Sequence, residues 1–244
     1  MEIKNKTIAI TGGTSGIGLE LVNALAQENE VVVIARSKKR ILALKNRFTS
    51  LDGYVCDLSD PSSYESVADR VIKAHRCIDI FINNAAIQNT KPFIDHDFEY
   101  KNIGHEIAVN FTAICSLSYL LLPSLLTSGK PSYIVNINSG LGLAPKTESA
   151  IYCATKAAMH SFSLSLNYQL EHTHTRVLQA FLPLVDTPMT EGRGRNKLSA
   201  HAAAVQIIKG IREEKGEHYI GKAHLLSLLL RIAPSIAHKI MKGM

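Results

Sequence analysis

Thr11-Gly12-Gly13-Thr14-Ser15-Gly16-Ile17-Gly18 stands between a short apolar run, residues 7–10, and a segment of helical period, residues 16–27. In that segment Ile17, Leu21, Ala24 and Leu25 fall on one face, the pattern of an amphipathic helix. A glycine-rich turn that opens a helix directly after a strand lets the backbone turn tightly and come close to a ligand. The start of the helix then offers that ligand free N–H groups and a positive dipole end. The stretch predicts a strand, a phosphate-binding turn and a helix, with Gly12, Thr14, Ser15, Gly16, Ile17 and Gly18 as cofactor-binding candidates. A tight turn without any ligand has the same composition; the position after the first strand favours the phosphate.

Outward from this turn, apolar runs keep alternating with helical segments. Strands are predicted at 31–35, 54–56, 78–82, 133–137 and 176–182, with a last short one at 219–220. Helices are predicted at 38–48, 61–75, 102–126 and 150–172. Val31-Val32-Val33-Ile34 is apolar without alternation, as a parallel strand covered on both faces should be. The expectation is an α/β fold: a three-layer, doubly wound, mostly parallel sheet of about seven strands with helices on both faces. The chain of 244 residues, 46% of them hydrophobic, can bury a sizeable core, and no repeat, low-complexity tract or linker divides it. Residues 1–244 are read as a single domain.

The formal charge of +6 comes from 27 basic and 21 acidic residues spread along the chain rather than gathered into a block. A phosphate-bearing cofactor meets that hint as well as nucleic acid does, and no nucleic-acid partner is expected. Cys56, Cys77, Cys115 and Cys153 form no close pair and no metal-ligand spacing, and residues 1–6 are polar rather than a signal segment. No metal is expected, and the setting read from these features is the cytoplasm.

Tyr152-Cys153-Ala154-Thr155-Lys156 places a phenol and an ammonium four residues apart, on one face of a helix. A free tyrosine titrates near pH of about 10, and an adjacent cation stabilises its ionised form. Tyr152 is therefore the candidate general acid and base, with Lys156 as its cation. Ser139 follows the predicted strand 133–137, where strand ends of an open sheet face the ligand crevice, and its hydroxyl can hold a substrate oxygen. Reading Ser139 as a hydrolase nucleophile fails on context: Ile137 and Leu141 stand where a nucleophile elbow needs glycines, and no histidine is placed as its base. At the end of the second strand, Ala35-Arg36-Ser37 has no carboxylate to receive a ribose 2′-hydroxyl. A guanidinium there suits a 2′-phosphate, so NADP(H) is preferred over NAD(H). Arg36 as a merely solvated cation at a helix start remains the alternative.

The glycines at 12, 16 and 18 resemble the T-G-x-x-x-G-x-G turn of the classical short-chain dehydrogenase/reductase family, and the likeness extends down the chain. It implies a Rossmann-type fold and an oxidoreductase that interconverts a carbonyl and an alcohol by hydride transfer. It further implies that Asp57 and Leu58 contact the adenine, with Asp57 as only a cap of the next helix the alternative, and that Asn84 and Ala85, in a segment similar to N-N-A-G, meet the cofactor. Asn110 would help hold a water that relays protons to Lys156, Ser139 would orient the carbonyl, and Lys156 would bind ribose. Val185 and Thr187, in a segment resembling P-G-x-x-x-T, would contact the nicotinamide. Ala86 and Leu184 replace glycines of the family pattern, which puts a positive φ at position 86 in doubt. The likeness also implies a homodimer or homotetramer through helices 102–126 and 150–172. The run 84–89, Val185-Asp186-Thr187 and the tail look like a bacterial branch named for the D-alanine-transfer operon of cell walls, which implies no substrate.

Two segments are left. Residues 188–199, with Met189, Gly192, Gly194 and three cations, read as a mobile polar stretch, either a plain surface loop or, as the family implies, a substrate lid. The apolar and basic tail 222–244 is too short to span a bilayer; it packs over the pocket, makes a subunit contact, or lies on an anionic membrane surface. The expected partner is a small carbonyl or alcohol. A catalytically silent nucleotide-binding regulator or scaffold of the same fold is the competing class, and the complete set Asn110, Ser139, Tyr152 and Lys156 argues against it.

Overall fold

The computed structural model describes residues 1–127 and 129–243. The chain runs β1 (Thr7–Thr11), α1 (Gly16–Leu25), β2 (Glu30–Ala35), α2 (Lys38–Arg47), β3 (Leu51–Val55), α3 (Tyr64–Ala74) and β4 (Ile80–Asn83). It continues with α4 (Lys101–Ile107), α5 (Ala113–Leu126), β5 (Ser132–Ser139), α6 (Ala150–Gln169), β6 (Thr175–Leu182), β7 (Val185–Asp186), β8 (Leu198–Ser199), α7 (Ala200–Arg212), β9 (Glu217–Tyr219), α8 (Lys222–Ile232) and α9 (Pro234–Lys242).

Seven strands form one parallel sheet in the order β3-β2-β1-β4-β5-β6-β9. Strand order runs one way from β1 to β3 and the other way from β4 onward, so the chain reverses between β1 and β4. Loops leaving the carboxyl ends of these two strands part there and leave a crevice. The expected fold class is what the structure shows. Alternation within each strand loads both faces. Val31 and Val33 point to the layer of α1, α2 and α7, where Leu21, Leu25, Ile41 and Ile207 wait, while Val32 and Ile34 join Val67, Leu117 and Leu121 of α3 and α5. The segment Lys101–Leu126 is long and apolar enough to cross a membrane by length and composition, yet half of its most apolar stretch is buried against α3, the sheet and α6.

Several boundaries differ from the sequence reading, each for a local reason. Strand β3 begins at Leu51 rather than 54, because Gly53 lets Ile41 of α2 lie where a Cβ would sit, 2.2 Å from its Cγ2. Asp52, an unusual strand residue, is satisfied by Lys45, the Gly53 N–H and the Tyr54 hydroxyl. The predicted helix 61–75 opens with a tight turn at Pro61–Ser63, capped by the Asp60 carboxylate. Segment 102–126 is helical throughout but holds a π-helical turn at Ala108–Thr112. Helix α6 stops at Gln169, short of 172, and β5 runs through Ser139, which ends the strand instead of following it. The pairing of β7 with β8 was not foreseen.

Candidate active site

The turn after β1 is braced from the next strand of the crevice. The Thr11 hydroxyl accepts the N–H groups of Asn84 and Ala85, both at 3.0 Å, and the Asn84 side chain donates to the Thr11 carbonyl at 2.9 Å. Gly12 has φ +70°, and a Cβ there would come within 3.0 Å of the Ala85 Cα. At Gly18 a Cβ would lie 2.3 Å from the Gly12 carbonyl oxygen, so the first turn of α1 can approach the glycine turn only without a side chain. Ser15 caps α1 in extended conformation with no side-chain hydrogen bond, and the first helical turn has no acid. The N–H groups of that turn are thus left to an outside acceptor, a cradle suited to an anion. Ala86 and Leu184 have no positive φ, so the lost family glycines cost no backbone strain.

A cleft of about 1260 Å³ runs from this cradle along the carboxyl edge of the sheet. Every sequence-predicted site residue lines it except Asn110. At one end stand Arg36, Ser37, Arg40, Asp57 and Leu58. Arg36 is exposed, and the Asp57 carboxyl lies below its ordinary range because it accepts from the Ser59 N–H and hydroxyl, with Arg36 adding attraction. Capping of the next helix falls to Asp60, not Asp57.

At the other end, β5 delivers Ser139 to the cleft. The Asn138 side-chain oxygen accepts the Ser139 N–H at 2.8 Å, and the Ser139 hydroxyl oxygen accepts from Leu141 N at 3.1 Å, with Tyr152 near it on the cleft lining. One turn along α6 from the phenol, the buried Lys156 donates through Nζ to the Ile137 carbonyl at 2.8 Å, with its nitrogen 5.6 Å from the centre of the Tyr152 ring. Burial without a carboxylate partner pushes Lys156 down to about 8. Burial also pushes Tyr152 up to about 12, opposed by the nearby Ser139 hydroxyl. Burial is the largest influence on the phenol, and the Lys156 ammonium is bonded to the Ile137 carbonyl.

Asn110 sits fully buried in the π-helical turn, behind the cleft rather than in it. Its Oδ1 accepts from Ile87 N at 2.9 Å, and its Nδ2 donates to the Ile87 carbonyl at 2.8 Å and to the Thr155 hydroxyl at 3.3 Å. One turn earlier, buried Glu106 accepts from the backbone and side-chain N–H groups of Asn89, both at 3.2 Å, and burial raises its carboxyl above the ordinary range. Together they pin the 85–89 segment to α4 and α6.

Residues 188–199 are tied down at several points. Thr187 and Thr190 cap each other, Lys197 bonds Asp186 at 3.1 Å and the Thr190 carbonyl at 2.7 Å, and Arg193 donates to the Gln88 side chain at 3.0 Å across the cleft. A Cβ on Gly16 would come 3.2 Å from Thr187, so Thr187 lies against the glycine turn, while Val185 lines the same cleft. The tail closes the far side. Leu226, Leu229 and Met241 face the cleft, and the Thr147 hydroxyl donates to the Lys242 carbonyl at 2.7 Å. Sequence reasoning missed Arg40, Gln88, Arg193 and Glu106. Arg40 was within reach, lying four residues from Arg36; Gln88 and Arg193 meet across 105 positions with nothing local to mark them.

The sequence profile of the short chain dehydrogenase family matches residues 6–198. The chain is 35% identical over 225 residues to the uncharacterized oxidoreductase DltE of Bacillus subtilis, covering 89% of this chain and 88% of that one. A fatty acyl-CoA reductase of Acinetobacter baylyi is 28% identical across 98% of this chain and 84% of its own. Among solved structures, a short-chain dehydrogenase of Sphingobium yanoikuyae in complex with NADPH superposes with TM-score 0.81 at 25% identity over 95% of both chains. One from Burkholderia cenocepacia in complex with NADP reaches 0.89 at 20% identity over 99% of both.

Proposed function

The chain belongs to the short chain dehydrogenase family, and on that premise we propose that it is an NADP(H)-dependent oxidoreductase interconverting a carbonyl and an alcohol, with Tyr152 as general acid and base. The observation that carries this reading is that Ser139, Tyr152 and the buried Lys156, held by the Ile137 carbonyl one helical turn from the phenol, line the same cleft as an open helix start.

The residues present fit a dinucleotide. The open N–H groups at Gly16, Ile17 and Gly18, with Gly12, Thr14 and Ser15, suit its pyrophosphate; Asp57 and Leu58 suit the adenine; Asn84, Ala85, Val185 and Thr187 would hold the nicotinamide end. When bound, the nicotinamide supplies or takes the hydride. The chain's own part is the proton and the geometry. Ser139 holds the substrate oxygen, and Tyr152, kept protonated by burial, donates to that oxygen as the carbonyl becomes an alkoxide, a stronger base than a phenolate. Lys156 places a cation beside the ring, and Asn110, through Ile87 and Thr155, holds the facing wall in place. Residues 188–199 act as the lid of a single domain, 1–244. The exposed Tyr119 and Tyr168 on α5 and α6 suit a homodimer or homotetramer contact, and the cytoplasm is the proposed setting.

Arg36, with Arg40 beside it, supplies the selectivity for a 2′-phosphate. Wild-type protein is expected to consume NADPH over a panel of aldehydes and ketones, and Arg36→Ala to weaken NADPH binding by about tenfold or more while NADH binding stays within a few-fold. Titration of both cofactors by fluorescence checks this. Equal losses for the two would refute the phosphate contact.

A further inference from the structure

The cleft explains only one side of the tail. Leu226, Leu229 and Met241 turn inward, but Leu225 is 65% exposed, Leu228 41% and Ile232 82% on α8, and Ile236 54% and Ile240 53% on α9. Positions 225, 228 and 232 repeat at helical spacing, as do 236 and 240, so each helix carries an outward apolar stripe. Leu225 and Ile240 also line the cleft, which places the two stripes side by side at its mouth.

Charge decides what such a face meets. Residues 222–244 hold none of the chain's 21 acids and four of its 27 Lys and Arg residues: Lys222, Arg231, Lys239 and Lys242. All four are exposed, and among the described residues none of them forms an ion pair. The nearby acid Glu148 is engaged by Lys146 at 3.2 Å. A second copy pairing face to face about a two-fold axis would set these cations against their own equivalents, with no acid to separate them. The exposed apolar groups are all aliphatic, which suits a fluid apolar layer beneath anionic headgroups.

We propose that α8 and α9 dock on the surface of an anionic lipid bilayer, with Leu225, Leu228, Ile232, Ile236 and Ile240 at the acyl boundary, the four cations among the headgroups, and the mouth of the cleft facing the lipid. This goes beyond the proposed reaction and does not depend on it, since docking is read without turnover.

The test is co-sedimentation of the full chain with vesicles of phosphatidylglycerol and phosphatidylcholine in equal parts, against vesicles of phosphatidylcholine alone. Binding to the mixed vesicles is expected to be at least tenfold tighter and to fall as salt rises. The doubly substituted Ile232→Ser, Ile236→Ser protein changes only exposed positions outside the cleft, so its thermal unfolding should match wild type while its vesicle binding drops by about tenfold or more. Lys239→Gln with Lys242→Gln should weaken binding by roughly twentyfold and flatten its salt dependence. Equal affinity for both vesicle types, or no sedimentation with either, would overturn the proposal. So would a tail-dependent dimer in solution, abolished by the serine substitutions, in a protein that ignores vesicles.

Discussion

Replacing Tyr152 with Phe is expected to lower kcat by about 10²–10⁴-fold, the usual contribution of a positioned acid or base, while leaving NADPH affinity close to wild type. The substitution removes one oxygen. The ring keeps its place on α6, Lys156 keeps its bond to the Ile137 carbonyl, and the glycine turn, braced by Thr11 and Asn84, is untouched. What disappears is the proton that the phenol is proposed to give to the substrate oxygen. Single-turnover measurements of NADPH consumption, with cofactor binding measured separately, distinguish a lost acid from a damaged cleft. If kcat stayed at the wild-type value, the phenol would have no part in the chemistry.

The second large effect concerns the sheet that carries the site. Phe81 is fully buried at the middle of β4, paired with Ala9 of β1 and Ile134 of β5, and it packs in the layer of α3 and α5. Phe81→Ala is expected to cost about 3–5 kcal/mol, because the lost burial is compounded by a cavity that rigid neighbours cannot close. In a domain of this size that lowers Tm by roughly 10 °C. Circular dichroism suits the measurement, since the chain has no tryptophan. Unfolding within a degree or two of wild type would mean that the sheet centre repacks far more freely than its full burial implies. Because β4 leads directly into Asn84 and Ala85, partial loss of the glycine-turn brace should accompany the destabilisation.

Much of this architecture was legible from short-range signals. The unbroken run Val31 to Ile34 announced a strand covered on both faces, and the glycines at 12, 16 and 18 announced a turn onto a helix start. Tyr152 and Lys156, four apart, share a helix face whatever the helix packs on. The family reading rested on these same motifs, and the profile match over residues 6–198 and the likeness to DltE agree with it. What escaped the sequence depends on distant contacts. An α-helix and a π-helical turn have the same composition, so nothing in Val109-Asn110-Phe111 disclosed that Asn110 would be turned back onto Ile87. Asp52 and Gly53 spell a turn, and only the approach of Ile41 explains why they lie in β3. The 188–199 segment reads as loose because its anchors, Gln88 and Asp186, lie outside it. The second partner of Lys156 was also hidden, since sequence shows its proximity to the phenol but not the carbonyl that its ammonium bonds.

The most direct measurement supplies NADPH carrying deuterium at the transferable position of the nicotinamide, with a carbonyl compound that wild-type protein consumes, and locates the label in the product by mass spectrometry and NMR. Deuterium is expected on the carbinol carbon, with an unlabelled hydroxyl whose proton comes from solvent through Tyr152. Product alcohol without deuterium at that carbon, or oxidised cofactor formed with no alcohol at all, would contradict this.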